Sequence, residues 1–268
     1  MNIHMRLETT ADRYAVEAMT REAFWRFWEG GLRICDEHLL VHKLRGAEGF
    51  VPELNTVAEI DGKIAGHIIF TKSRVEDDSG KTYGTLTFGP LTVLPEFQGK
   101  GIGRALMKHT FDTAAGMGFR AVIIFGHPDY YPRAGFRRAA EFGITAPDGK
   151  TFDALMAYPL YDGALDGISG RYFIDPVYER LNQEETLEFD KRFPAKEPHI
   201  PIPLSVLLER LEHGAAEAVK RQGFSTFEEI RSRSEREIMS IEGVDEKTLE
   251  TIRRLMRENG RDWGKQGG

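Results

Sequence analysis

Leu91-Thr-Val-Leu-Pro-Glu-Phe-Gln-Gly-Lys-Gly-Ile-Gly-Arg-Ala-Leu106 decides the reading of this chain. An apolar, strand-like run stops at Pro95. The glycine-rich turn Gln98–Gly103 then opens directly into helical text. Such a turn can serve as an anion cradle. Glycines let the backbone approach a ligand, the first helical N–H groups point outward, and the helix dipole favours negative charge there. Lys100 and Arg104 add positive charge at the same place. A tight strand-to-helix turn, in which glycine serves geometry alone, is the other reading. No Gly-Lys-Ser/Thr follows, so the turn is not a phosphate loop of the Walker type. No Gly-x-Gly directly follows the strand either, which makes it a poor dinucleotide fingerprint.

Outward from this turn, short apolar runs alternate with helical patterns. Ala11–Trp28 repeats Val16, Met19, Ala23 and Phe27 at helical steps behind Thr10, and a second helix is expected over Ile34–Arg45. Leu54–Ile60 and Lys63–Glu76 read as strands joined by Asp61-Gly62, a dipeptide suited to a type I′ turn. Strands at Lys81–Leu94, Phe119–Phe125 and Phe152–Leu160 and a helix at Gly101–Gly116 complete the order β-α-α-β-β-β-α-β-α-β. The text turns irregular and proline- and glycine-rich over 163–204, and is helical throughout after Ser205. The organisation expected is a first domain over 1–162, a connector over 163–204 and a small all-α domain over 205–268.

Composition bounds the function. The chain has 268 residues, 41% hydrophobic and 29% charged, which is ordinary globular composition with ample core. A formal net charge of −6 excludes a generally basic surface that coats nucleic acid. The single cysteine, Cys35, excludes an internal disulfide framework and a cysteine zinc cage. With no apolar h-region at the start and no run of membrane-spanning length, the expectation is a soluble, cytoplasmic protein.

The string Val93-Leu94-Pro95-Glu96-Phe97-Gln98-Gly99-Lys100-Gly101-Ile102-Gly103 resembles the acetyl-CoA signature of the GNAT superfamily of N-acetyltransferases, and the element order of residues 1–160 agrees with it. The resemblance implies an α+β fold with a mixed, centrally splayed sheet flanked by helices. It implies that the coenzyme pyrophosphate sits on the backbone of Gln98, Gly99, Lys100, Gly101, Ile102, Gly103 and Arg104. Val93 would pair with the pantetheine arm, and the Leu91 N–H would face the thioester oxygen. Gly89-Pro90 supports a break in the ladder here, because proline donates no ladder hydrogen bond. Tyr131-Pro-Arg-Ala-Gly-Phe136 matches the family's tyrosine, so Tyr131 is the expected general acid for the leaving thiolate. One departure is clear: Gly126-His127-Pro128-Asp129 stands where the family often carries an asparagine.

A base must relieve the acceptor amine of its proton. The strand Leu86–Val93 carries no carboxylate, which leaves Glu22, Glu29, Glu37, His127 and Asp129 as candidates. Trp25, Trp28, Glu37 and His38 are the expected acceptor-site residues, aromatic walls with acid nearby that suit a cationic amine on a small molecule or peptide. The same aromatics read equally as core. His38 and His42 have a metal-compatible spacing without a third ligand, so no metal is expected. The alternative to an enzyme is a non-catalytic acyl-CoA sensor whose tail contacts a protein or DNA.

Residues 216–262 resemble the helix-hairpin-helix unit found at the C-terminal end of the bacterial RNA polymerase α chain. Asp245-Glu246-Lys247-Thr248 stands where that family has Gly-Lys-Lys-Ser against phosphate. Ser225 and Glu228 read as a capping box within it. Ser205–Gly268 carries 12 Lys/Arg and 13 Asp/Glu, a net of −1, so nucleic acid is not the expected partner. A protein contact is, with the first domain or with a second copy in a homodimer.

Overall fold

The computed structural model describes residues 2–25, 35–128, 130–196, 203–224, 227–231, 233 and 235–258. The described residues form two compact units, one within 2–25 and 35–195 and the other within 203–258. In the first unit the elements are β1 (His4–Leu7), α1 (Arg13–Phe24), α2 (Glu37–Leu44), β2 (Thr56–Ile60), β3 (Lys63–Glu76), β4 (Thr82–Val93), α3 (Ile102–Gly116), β5 (Ala121–Phe125), β6 (Arg137–Arg138), β7 (Ile144–Thr145), β8 (Leu155–Pro159), β9 (Gly170–Phe173) and α4 (Gln183–Asp190).

The strands make one mixed sheet in the order β1-β2-β3-β4-β5-β8-β6, with β9 pairing β3 and β7. Asp61 and Gly62, at φ 50° and 78°, turn β2 tightly into β3, as their sequence demands. β3 and β4 pair along nearly their whole length. β4 and β5 run parallel and share one paired position, Leu86 with Val122. Beyond it, Thr87–Val93 continues past β5 without a partner strand on that side. The expected splay is therefore present, and it opens in the middle of the sheet.

α3 covers one face of the sheet, seating Ile102, Leu106, Met107 and Phe111 against Ile68, Phe70, Leu86 and Phe88. Gly66 permits this close approach, since a Cβ there would stand 2.9 Å from Ile102 Cγ2 and 3.0 Å from Leu106 Cδ1. α1 and α2 pack on β3 and β4. A buried polar cluster ties α1 and α2 to β1. The Arg45 guanidinium bonds Glu8 through Nε (2.9 Å) and Nη2 (2.5 Å), and Glu17 through Nη1 (2.6 Å). Beside it the imidazole of His67 meets Asn55 Oδ1 at 2.7 Å, and burial pushes its pKa down to about 4, so it is neutral at pH 7.

Two expectations change. The helix expected between the strands at 119–125 and 152–160 is absent: residues 131–142 form 3-10 turns at Tyr131–Ala134 and Ala139–Phe142, interrupted by β6. Pro132 lacks a donor, and Gly135 and Gly143 take positive φ, so the helix cannot propagate. The stretch expected to be connector holds ordered elements of the first unit, which runs to Ala195. In β9, Tyr172 is fully buried and its hydroxyl donates to the Ile123 carbonyl at 2.6 Å. α4 is capped by Asn182, whose Oδ1 accepts from the Glu185 N–H at 2.8 Å. It docks on α1 through Arg21–Asp190 and on α2 through Lys43–Glu185, each at 2.5 Å. Asn182-x-x-Glu185 is a capping-box pattern visible in the sequence itself.

The second unit contains α5 (Leu204–Leu208), α6 (His213–Lys220), α7 (Phe227–Arg231), α8 (Glu235–Met239) and α9 (Glu246–Glu258) around Leu207, Val219, Phe227, Ile230, Ile252 and Met256. Ser225, half of the expected capping box, lies outside the described residues. Among the described residues no helix is long and apolar enough to cross a membrane.

Removing Arg45 should leave Glu8 and Glu17 buried and uncompensated. Arg45→Ala is expected to lose about 3–5 kcal/mol in urea unfolding. A loss below about 1 kcal/mol would mean that water enters and relieves both carboxylates.

Candidate active site

The open edge of β4 leads into the glycine turn. After a single 3-10 turn at Pro95–Phe97, Gln98 folds back and its Nε2 donates to the Val93 carbonyl at 3.0 Å. This bond pins the loop to the end of the strand. Gly99 and Gly101 take φ of 71° and 82°, values that disfavour any side chain. Gly101 is the N-cap of α3 and has no side chain to cap it, so the N–H groups of Ile102, Gly103 and Arg104 lack intrahelical acceptors. Ile102 is the buried anchor of the turn. Three amides on the positive end of a 15-residue helix, with Lys100 and Arg104 beside them, form a site for a polyanion.

Gly103 places the helix start against its surroundings. A Cβ there would lie 3.1 Å from the Tyr130 hydroxyl, 3.5 Å from Leu91 Cδ2 and 3.8 Å from Val93 Cγ2. Leu91 and Val93, on the part of β4 beyond the β5 pairing, thus point their side chains under the cradle and leave backbone for a ligand in the gap. Arg104 is held across it by a 3.2 Å bond from Nη2 to the Arg133 carbonyl. Tyr130 reads from sequence only as packing, and its place over the helix start follows from the turn at Tyr131–Ala134, which sequence periodicity does not reveal.

Tyr131 stands at the gap. Its ring packs on Phe88 (5.9 Å between centroids), Phe136 (5.3 Å) and Tyr130 (5.0 Å). Gly126 makes room, since a Cβ there would lie 2.4 Å from Tyr131 Cδ2. Among the described residues its hydroxyl has no hydrogen-bond partner. Burial, and to a lesser degree Tyr130, hold its pKa well above the ordinary value near 10. The phenol is therefore protonated across the physiological range and available as a proton donor.

The expected acceptor-site residues separate. Trp25 is buried beneath the Arg21 guanidinium, 4.5 Å from the ring centroid. His38 is fully buried, with Nδ1 3.8 Å from Cys35 Sγ, Nε2 3.1 Å from Asp190 Oδ1, and its ring against Phe189 and Phe193. Burial takes its pKa down to about 4, with the adjacent Asp190 opposing. His38 thus belongs to the contact of α2 with α4, and Trp25 packs on the arginine that holds Asp190 of α4. His42 turns to Glu17 at 3.0 Å, so the two histidines serve different partners. Among the described residues no group of three or more His, Cys, Asp or Glu is arranged for a metal.

Glu37 differs. The residue is half-buried at the start of α2, but its Oε2 is shut off from solvent without a hydrogen-bond partner, and burial raises its pKa to about 7. Glu22 lines a groove of about 560 Å³ between α1 and the β2–β3 turn, with Arg6, Glu59, Lys63 and Leu94. The His127 carbonyl accepts from the N–H groups of Tyr130 and Tyr131. Trp28, Glu29 and Asp129 lie outside the described residues.

In the second unit, the arginines of α9 are committed to carboxylates. Arg253 bonds Glu235 and Glu246, each at 2.8 Å, and Glu250 at 3.2 Å. Arg257 meets Glu250 at 2.8 Å, and Asp245 caps the helix through the Thr248 N–H and hydroxyl. This face is internally neutralised. The full chain is accordingly expected to show no affinity for a labelled 20-bp DNA duplex at low salt. Micromolar binding that weakens steeply with salt would contradict this pairing.

Comparison with known proteins agrees with the geometry. Residues 18–137 match the Acetyltransferase (GNAT) family. The chain is 36% identical over 109 residues to the uncharacterized N-acetyltransferase YjhQ of Escherichia coli K12, spanning 40% of this chain and 60% of that protein. It is 28% identical over 166 residues to the uncharacterized N-acetyltransferase YhbS of the same organism, spanning 62% of this chain and 92% of that one. The crystal structure of E. coli YhbS in complex with CoA superposes with a TM-score of 0.57 at 26% identity, covering 68% of this chain and 95% of that one. A GNAT family acetyltransferase from Brucella melitensis in complex with acetyl-CoA gives 0.52 at 25% identity, covering 66% and 98%. The first unit has the GNAT acetyltransferase fold, and residues 18–137 of the chain match the model of that family.

Proposed function

We propose that this protein transfers an acetyl group from acetyl-CoA to a primary amine in one ternary complex. The observation that carries the reading is the open edge of β4, which runs directly into an uncapped, glycine-built helix start. The pyrophosphate would sit on the amides from Gln98 to Arg104, with Lys100 and Arg104 as counter-charges. The pantetheine arm would lie in the gap beside Val93, placing the thioester near the Leu91 N–H.

Chemistry follows from this placement. The neutral amine attacks the thioester carbon, and the N–H near Leu91 steadies the negative oxygen that develops. Collapse breaks the C–S bond, the thiolate takes the Tyr131 proton, and the ammonium product loses its extra proton to a base. Holding both reactants in one cleft removes much of the entropic barrier. CoA-bound and acetyl-CoA-bound relatives of the same fold support the donor. The second unit, which resembles a helix-hairpin-helix module in sequence, serves a protein contact in this reading, and the chain works in the cytoplasm.

Calorimetric titration with acetyl-CoA tests the cradle. Gly101→Asp and Gly103→Asp bring bulk and negative charge to the pyrophosphate position, and each is expected to weaken binding about tenfold or more. Affinity within about threefold of wild type in both variants would contradict the assignment.

Thiol release from acetyl-CoA in the presence of primary amines tests the transfer itself. Tyr131→Phe is expected to lower kcat by about 10²–10⁴-fold with the acetyl-CoA Kd unchanged. An unchanged rate would make the residue packing and water the donor. A chain that binds acetyl-CoA and never releases thiol would be a sensor instead.

A further inference from the structure

We propose that Glu37 is the general base that accepts the proton of the acceptor amine. The inference rests on the transferase reading above, and begins from the helical register of α2. Glu37, Val41 and Leu44 share one face at i, i+4 and i+7. Val41 packs against Val16 of α1 and Val57 of β2, so this face looks at the sheet. α1 crosses the sheet from Val57 on β2, which Val16 meets, to Thr92 on β4, whose hydroxyl lies 3.2 Å from that of Thr20. α2 returns antiparallel to it, since Cys35, just before α2, reaches the Arg21 carbonyl near the end of α1. Glu37 therefore lies one turn beyond Val41 in the direction of β4, above the strand that parts from β5.

A buried carboxylate oxygen normally meets a cation or several donors. Glu37 Oε2 meets neither. The cations on neighbouring elements are engaged with other acids. Arg21 holds Asp190, Arg45 holds Glu8 and Glu17, and Lys43 holds Glu185. His42 is turned to Glu17. Tyr178, on the 3-10 turn that also packs on α2, donates to the Gly89 carbonyl at 3.4 Å. Of the charges, Asp36 alone acts appreciably on Glu37, and it reinforces what burial does. The result is a carboxylate without a cation, bonded by the backbone N–H groups of Asp36 and Glu37, that changes protonation near neutrality, the condition a general base requires.

The step balances simply. An ammonium acceptor gives one proton to the Glu37 carboxylate, the freed lone pair attacks the thioester carbon, the C–S bond breaks as the thiolate takes the Tyr131 proton, and the second proton on nitrogen returns to the Tyr131 oxygen as the amide forms. An unpaired acid in this position also selects for substrate, favouring amines that arrive protonated over neutral or acidic nucleophiles.

The test compares wild type, Glu37→Gln and Glu37→Asp with benzylamine, phenethylamine, spermidine and lysine as acceptors, following thiol release as a function of pH. Glu37→Gln is expected to lose about 100-fold or more in kcat at unchanged acetyl-CoA Kd, with partial rescue by Glu37→Asp. The wild-type kcat/KM should level off above pH about 7. That of Glu37→Gln should keep rising toward the pKa of the amine itself. A Glu37→Gln rate within about threefold of wild type would overturn Glu37 while leaving the transferase intact. No thiol release by wild type with any of these amines would count against the transferase reading and the base together. A ¹³C-glutamate titration of the acetyl-CoA complex, assigned by loss of the signal in Glu37→Gln, needs no acceptor. A midpoint below about 5 overturns the proposal, since an ordinary glutamate titrates there.

Discussion

The site depends on one interrupted ladder. A parallel pair of adjacent strands ordinarily satisfies each other's backbone along their whole length, and here β4 and β5 meet at Leu86 and Val122 and then diverge. Backbone groups released from such pairing must find other partners, because leaving them buried and unmade is costly. A ligand with an amide-bearing arm can replace the missing strand. The gap is thus both a local cost to folding and an opening for such a ligand.

The rest of the first unit holds that gap open. On one face, Gly66 lets α3 sit against β3, and Phe88, Phe111, Tyr131 and Phe136 interlock in tilted and edge-to-face contacts that wedge the strands apart. On the other, the Arg45 cluster fixes α1 and α2 to β1, and α4 clamps them from outside. The positive end of α3 and a protonated Tyr131 then border the gap.

Much of this is legible in the sequence because backbone geometry writes itself into glycine and proline. Gly99, Gly101 and Gly103 specify the cradle, Gly89-Pro90 marks the interrupted strand, and Asp61-Gly62 fixes the hairpin turn that sets the β2–β3 register. Side-chain destinations are less legible. Trp25 and His38 look like site residues because aromatic and imidazole groups suit an amine pocket, but Trp25 lies under Arg21 and His38 is packed against Phe189 and Asp190 of α4, a partner more than 140 residues away that local periodicity does not reveal. The segment 163–204 looks like connector because its strand is only four residues long and its helix eight. Its best signals, Asn182-x-x-Glu185 and the buried Tyr172, have meaning only once the helix pair and the strands they pack on are known.

The most direct measurement of the central idea is amide hydrogen exchange with and without acetyl-CoA. If the ligand completes the broken ladder and caps α3, the amides of Thr87–Val93 and Gly99–Arg104 should slow together on binding, while those of β1 and β2 stay as they were. Slowing confined to other surfaces, or none in these two segments under saturating acetyl-CoA, would contradict the account.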